Sequence, residues 1–128
     1  MSNIKTLQDL LESIICNVNL SDLRLVVLPF QFGSISGYFN CRHNKLTSLQ
    51  YAPTEVGGGF NCGFNKLTSL QYAPTKVDGD FYCNSNNLTS LQYAPIKVSG
   101  DFSCSDNQLI SLEGAPTEVG GRFVCHSN

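Results

Sequence analysis

The sequence predicts a repeat solenoid, in which a short unit of chain is coiled and stacked on copies of itself. Phenylalanine recurs every 21 residues, at Phe39, Phe60, Phe81, Phe102 and Phe123. Cysteine follows it two positions later each time, at Cys41, Cys62, Cys83, Cys104 and Cys125. The shared unit reads F-x-C-x-x-N-x-L-x-S-L-x-x-A-P-x-x-V-x-G-x. A fixed period of this kind indicates a repeat architecture, because each unit buries its apolar residues only against its neighbours.

The 128 residues suffice for one domain of two parts. Residues 1–17 are predicted to form an N-terminal helical cap, and residues 18–128 the solenoid. The solenoid comprises one degenerate repeat, four near-consensus repeats and one partial repeat that runs from Phe123 to Asn128.

The cap is predicted from an apolar stripe at helical spacing, made by Ile4, Leu7, Leu10, Leu11, Ile14 and Ile15. Ser2 or Asn3 fits the N-cap position. Because the first coil has no preceding neighbour, we expect this α-helix to cover its open end. A helix that binds a membrane surface or a partner is the alternative.

The first repeat keeps the apolar positions of the unit and loses its polar signature. In the 21-residue register, its core positions hold Val18, Leu20, Leu25, Leu28 and Ile35. Leu23 takes the asparagine position and Phe32 the proline position. Residues 23–28 also fit a strand of their own, so the path of this coil is the least constrained.

Each repeat is expected to contain one short parallel β-strand and a mostly irregular return segment. Phenylalanine and cysteine alternate with a variable residue, the pattern of a half-buried strand. The asparagine three residues after the cysteine marks a turn, where its amide satisfies main-chain groups that leave the ladder. The proline of the return segment favours an extended path or a turn. The glycine two residues before each phenylalanine suits a tight turn or a bulge.

The stretch from Cys62 to Leu70, C-G-F-N-K-L-T-S-L, resembles the L-x-L-x-x-N-x-L core of leucine-rich repeats. It is most similar to the short repeats of bacterial secreted effectors and of small bacteriophage and bacterial proteins. The resemblance covers roughly residues 36–128 and recurs four times in register. It implies a right-handed coil that binds protein through its strands. Phenylalanine and cysteine replace the strand leucines, and the unit is one residue longer than the effector repeat of about 20.

Composition and charge argue against a nucleic-acid-binding protein, a membrane protein and a secreted protein. The formal charge is −2 and no block of basic residues occurs, so neither nucleic acid nor an anionic membrane is an expected partner. No apolar stretch approaches the ~20 residues that span a bilayer, and the N-terminus lacks a signal-peptide pattern. A cytoplasmic protein is therefore expected, in the host cytoplasm if the gene belongs to a phage.

The repeated cysteines are expected to be free thiols that pack as small apolar side chains. Equivalent residues in stacked coils lie ~4.8 Å apart in a line, which suits neither a tetrahedral metal site nor in-line disulfides, although redox disulfides remain an alternative. His43 and His126 fall about four coils, ~20 Å, apart. The sequence therefore assigns no catalytic residue, metal or cofactor.

Function is expected where the repeats differ, on the outward side of the strands. Aromatic residues and arginine dominate protein interfaces, and drift on a solvated face is the alternative. The predicted binding residues are Tyr38, Asn40, Arg42, His43, Phe64, Asp80, Tyr82, Asp101 and Arg122. The expected function is a non-enzymatic protein-interaction module, a small phage or bacterial accessory protein that binds a host or defence protein, with inhibition as an extension.

Two other surfaces are predicted. Tyr51, Tyr72 and Tyr93 form a column that is expected to pack over the leucines, with an exposed binding strip as the alternative. The open last coil offers an unpaired strand edge for homo-oligomerisation, the second functional hypothesis. Its residues are Phe123, Val124, Cys125 and His126. An enzyme is the third hypothesis.

Overall fold

A computed structural model describes residues 17–128, which form a parallel-strand β-solenoid of about five turns. The predicted period is confirmed, because successive strands pair with a shift of 21 residues, as Phe39 does with Phe60. The predicted N-terminal cap lies outside the described residues apart from Asn17. Residues 17–128 contain no helix, and hence none that could cross a membrane.

Each near-consensus turn contains two strands, so the prediction of one strand per repeat is wrong. The six-stranded sheet contains β1 (Val18–Asn19), β2 (Phe39–Asn40), β4 (Phe60–Asn61), β6 (Phe81–Tyr82), β8 (Phe102–Ser103) and β10 (Phe123–Val124). The return segments form a four-stranded sheet of β3 (Glu55–Val56), β5 (Lys76–Val77), β7 (Lys97–Val98) and β9 (Glu118–Val119). The valine of each return segment faces the core while the preceding residue is exposed, and the proline lies before the strand, where it removes no ladder donor.

The first coil follows the predicted register without the predicted strand at residues 23–28. Val18, Leu28 and Ile35 are buried, as the register requires. Val26 and Val27 are 61% and 51% exposed, because they occupy outward positions that hold threonine and serine in the next three coils.

The core consists of columns of identical side chains. Adjacent phenylalanine rings from Phe39 to Phe123 stack with centroids 5.2 to 5.6 Å apart. The first four repeated cysteines are buried beside them and are free thiols, as expected. The leucines Leu46, Leu49, Leu67, Leu70, Leu88, Leu91 and Leu109 are also buried, whereas Leu112 of the last full repeat is 49% exposed. Full burial of each phenylalanine or leucine contributes about 1.5–3 kcal/mol, so each coil adds several such contributions.

A ladder of asparagine amides ties each turn to the turn before it. Asn86 Oδ1 accepts a hydrogen bond from Leu67 N at 3.0 Å, and Asn86 Nδ2 donates to the carbonyls of Cys62 and Cys83, both at 3.1 Å. The residue before each asparagine has a left-handed backbone, with φ of 54° to 60°. The predicted role of asparagine at this turn is confirmed. The ladder consists of Asn44, Asn65, Asn86, Asn107 and Asn128.

The repeated glycine lies at a bend that leads into each strand of the six-stranded sheet from β2 onward, and close coil-to-coil contact requires glycine there. Among the described glycines only Gly114 has a positive φ. A Cβ on Gly79 would lie 2.7 Å from the main-chain atoms Gly58 C and Gly59 N. Successive entries into the six-stranded sheet therefore approach too closely for any side chain at this position.

Candidate protein-binding face

The outward side chains of the six-stranded sheet form a surface that we call the strand face. It contains the residue before each strand phenylalanine, the residue after it, and the two residues after each cysteine, so it includes His43 and Phe64. The phenylalanines and cysteines at the alternate positions of β2, β4, β6 and β8 are fully buried. The fold therefore presents on this face the residues in which the repeats differ.

Two depressions on the strand face gather eight of the nine predicted binding residues. The first, of about 390 Å³, is lined by Arg42, Asn61, Phe64, Tyr82, Asn84, Asp101, Ser103, Arg122 and Val124. The second, of about 270 Å³, is lined by Tyr38, Phe39, Asn40, Gly59, Phe60, Asn61, Asp80 and Tyr82. Tyr82 and Asn61 line both, so the two depressions adjoin at these side chains.

Arg42, His43 and Phe64 form one cluster across two adjacent coils. The His43 ring stacks on the Phe64 ring with centroids 4.3 Å apart, and the Arg42 guanidinium carbon lies 5.5 Å from the Phe64 centroid. Arg42 Nη2 lies 2.9 Å from His43 Nε2. Because a guanidinium only donates, His43 Nε2 accepts and carries no proton in this arrangement. His43 lines neither depression and supports the cluster from beside it.

Asp80 and Asp101 continue the main-chain ladder with their side chains. Asp80 Oδ1 accepts from Asp101 N, and Asp101 Oδ1 accepts from Arg122 N, both at 2.7 Å. The bond from Arg122 N, followed by the Arg122 guanidinium, lowers the pKa of Asp101. Burial raises the pKa of Tyr82. The Tyr82 hydroxyl donates a hydrogen bond to Asp80 Oδ2 at 3.0 Å, and this bond raises the same pKa further. Both carboxylates thus already have partners within the protein.

The tyrosine column does not form the packed ladder that the sequence suggested. Tyr51, Tyr72 and Tyr93 are 38%, 51% and 61% exposed, and no two of these rings pair within residues 17–128. Each has a positive φ, between 71° and 78°. Gly114 takes the equivalent place in the next repeat with φ of 87°, so this backbone conformation is one that glycine adopts without strain. Tyrosine there is strained and half exposed.

The residues predicted for self-association all belong to the last coil, whose strand β10 is an outermost strand of the six-stranded sheet. Phe123 is 36% exposed although its ring stacks on Phe102, and Cys125 is exposed at the same edge. Val124 lines the first depression, and His126 Nδ1 lies 3.2 Å from Ser127 Oγ. Within residues 17–128, β10 pairs on one side only, with β8.

Sequence reasoning missed Asn61, Asn84, Ser103 and Val124 as lining residues of the first depression. Their positions belong to the same variable columns as Asn40 and Arg42, and this periodicity was the available signal. None of the four is aromatic or charged, so residue type alone does not single them out as interface residues. They line the first depression together with Tyr82, Arg42 and Arg122.

The core cysteines have weakly acidic thiols because they are buried. Burial raises the pKa of Cys41 to about 12 and that of Cys104 to about 11, so these thiols are not nucleophiles at neutral pH. No group of three His, Cys, Asp or Glu side chains among the described residues is placed to hold a metal ion.

Comparison with protein-family models, with curated proteins and with solved structures gave no match.

Proposed function

We propose that this protein is a non-enzymatic binding module whose strand face grips another protein. One observation carries the proposal: the side chains that vary between otherwise uniform turns converge on two adjoining depressions around Tyr82. Tyrosine and arginine are the residue types that contribute most at protein interfaces. The inward residues are fully occupied with packing and with the asparagine ladder, so the variable residues remain for recognition.

The proposal also includes the assignment of the solenoid as a leucine-rich-repeat-like coil. The 21-residue period, the parallel sheet and the asparagine ladder support a leucine-rich-repeat-like coil. The second strand in each turn departs from the expected irregular return segment. By analogy with the short phage and bacterial repeats that the sequence resembles, the protein acts in the cytoplasm on a host or defence protein and inhibits it.

A strand-face variant tests the proposal with substitutions taken from the chain's own columns. It combines Tyr38→Asp, Arg42→Ser, Phe64→Ser and Tyr82→Ser, which match Asp80, Ser105, Ser85 and Ser103 of other repeats. Because these residues already occupy equivalent backbone positions, the fold is expected to persist. The matched control combines Tyr51→Gly, Tyr72→Gly and Tyr93→Gly, which copy Gly114.

Each protein is immobilised and exposed to a lysate of the native host, and the retained proteins are identified by mass. We expect a protein held by the wild type and by the tyrosine control to be lost by the strand-face variant. Melting curves establish that all three proteins fold. Loss from the tyrosine control alone would place the binding surface on the tyrosine column, and retention by the strand-face variant would refute the proposal.

Self-association is the second candidate function. Phe123 is 36% exposed, whereas the four equivalent phenylalanines are fully buried, and the outer side of β10 has no partner in the described residues. Such an edge accepts a further strand, from another copy or from a further coil of a longer chain. Sedimentation velocity of the 128-residue chain at tens of micromolar is expected to show a dimer that Phe123→Ser abolishes. A monomer at that concentration would contradict this candidate.

A further inference from the structure

We propose that the first depression receives an acidic side chain of the partner protein, and that Arg42 binds its carboxylate. The inference rests on the proposed function, because it names the chemistry of the partner segment that the strand face takes. It depends on three features of the depression: the unpaired donors of Arg42, their fixed position and the local charge.

Arg42 has more hydrogen-bond donors than the protein satisfies. A guanidinium carries five N–H donors and stays charged at every pH of interest. The Nη2 group donates to His43 Nε2, whereas Nε is buried and has no partner. Among the described residues, the ion pairs are Arg122 with Asp101 and Lys97 with Glu118, so no carboxylate pairs with Arg42. Nε is enclosed by the protein, so an incoming carboxylate meets the Nη groups instead: within residues 17–128, Nη1 makes no hydrogen bond and Nη2 makes one, to His43.

The guanidinium is also held in place before any partner arrives. It lies over the Phe64 ring at 5.5 Å, a favourable cation–π arrangement, and His43 stacks on the same ring. The planar fork of arginine matches a carboxylate, and a fork already fixed loses less conformational entropy on binding than a free side chain does. The cluster therefore resembles one half of a salt bridge.

The charges around the depression favour an acidic group over a basic one. Its lining carries two arginines and one carboxylate, a formal charge of +1 within a chain whose formal charge is −2. That carboxylate, Asp101, already accepts from Arg122 N and the Arg122 guanidinium. Asp80, in the adjoining depression, accepts from Tyr82 and from Asp101 N. A basic partner group would compete with these bonds, whereas an acidic one meets unpaired donors. The volume of about 390 Å³ accommodates a side chain with its neighbours.

The side-chain Nε–H signals of the 15N-labelled full chain report this contact directly. The chain has three arginines, Arg24, Arg42 and Arg122, and Arg42→Gln identifies the signal of interest. The probe is N-acetyl-glutamate N-methylamide, and its glutamine counterpart is the neutral control. We expect a saturable shift of the Arg42 signal with the glutamate probe, suppressed by salt, and little change at Arg24. No shift at Arg42, equal shifts at Arg24, or equal effects of the two probes would overturn the inference.

A phosphorylated partner is the competing source of negative charge. The same titration with N-acetyl-phosphoserine N-methylamide distinguishes the two. If it binds more than about tenfold tighter than the glutamate probe, the carboxylate assignment is overturned in favour of a phosphoprotein. Comparable binding of the two probes supports the carboxylate.

The capture assay separates this inference from the proposed function. Arg42→Gln is compared there with Lys45→Gln, which removes one positive charge at an exposed position outside the depressions. We expect capture to fall at least about tenfold with Arg42→Gln and to stay unchanged with Lys45→Gln. If the strand-face variant loses the partner while Arg42→Gln keeps it, the proposed function stands and the acidic assignment fails. If neither variant loses the partner, both fail.

Discussion

Replacement of a central ladder asparagine tests how successive turns are held together. In Asn86→Ala the four hydrogen bonds of the amide are lost, to Leu67 N and to the carbonyls of Cys62, Cys83 and Asn84. Asn86 is 7% exposed, so water has little access to the groups left behind. The substitution therefore removes a buried link between two turns while leaving the packing of phenylalanine and leucine intact.

The expected loss in the free energy of unfolding depends on which groups Asn86→Ala leaves without a hydrogen-bond partner. The Cys62 carbonyl keeps a bond from Asn65 and the Cys83 carbonyl keeps one from Asn107. Only Leu67 N is left fully unsatisfied, at a cost of about 1–3 kcal/mol. The Asn84 carbonyl still accepts from Phe64 N, so all three carbonyls keep a partner, and each interrupted contact adds a value at the low end of about 0.5–1.5 kcal/mol. We therefore expect a loss of about 3 kcal/mol.

Asn128→Ala is the matched control, because Asn128 makes equivalent contacts while exposed at the last coil. Water replaces its amide, so a loss below about 1 kcal/mol is expected. Urea unfolding followed by circular dichroism or tyrosine fluorescence measures both, since the chain has no tryptophan. Losses for the two variants that agree within about 0.5 kcal/mol would refute the view that the buried ladder joins the turns.

Three further predictions follow from the core. Iodoacetamide at pH near 8 is expected to modify the exposed Cys125 and to spare Cys41, Cys62, Cys83 and Cys104; rapid labelling of the buried four, detected by peptide mass, would contradict their burial. Because burial raises the pKa of Cys41 from 9.0 to about 12 and that of Cys104 from 9.0 to about 11, their stabilising contribution is complete below pH 9 and is lost as pH rises towards those values. The free energy of unfolding should fall by about 1.4 kcal/mol per pH unit for each such thiol, and a Cys41→Ala, Cys104→Ala variant whose alkaline slope equals that of the wild type would disprove this. Gly79→Ala places a Cβ 2.7 Å from the preceding turn and should lower the melting temperature, whereas Gly59→Ala, whose nearest contact is 3.3 Å, should change it much less; equal effects would argue against close approach as the reason for glycine.

The inward half of the repeat was predictable because its physical signals are redundant. Phe60 and Cys62 alternate with polar residues, Leu67 and Leu70 recur at a fixed offset, and Asn65 marks the turn. Each signal recurs in every near-consensus turn, and stacking forces identical residues together. The second sheet escaped prediction because each of its strands has two residues and shows a single inward valine, which is too short to display alternation.

The sequence predicted which residues share the strand face, but it did not predict the contacts between them. Sequence columns show which residues share the strand face, yet they do not reveal that Arg42 reaches the Phe64 ring of the next coil. Asp80 and Asp101 are among the predicted binding residues, whereas in the structure their carboxylates accept hydrogen bonds from main-chain N–H groups of the next coil. Asn17 has the same role toward Tyr38 N and stands in the same column, a signal visible only once the ladder geometry is known.

The affinity of the purified partner for three proteins tests the central claim most directly. Titration calorimetry compares the wild type, the strand-face variant and the tyrosine control. If the strand face is the binding surface, affinity falls at least about 100-fold for the strand-face variant and stays within about threefold of wild type for the tyrosine control. Unchanged affinity of the folded strand-face variant would contradict it.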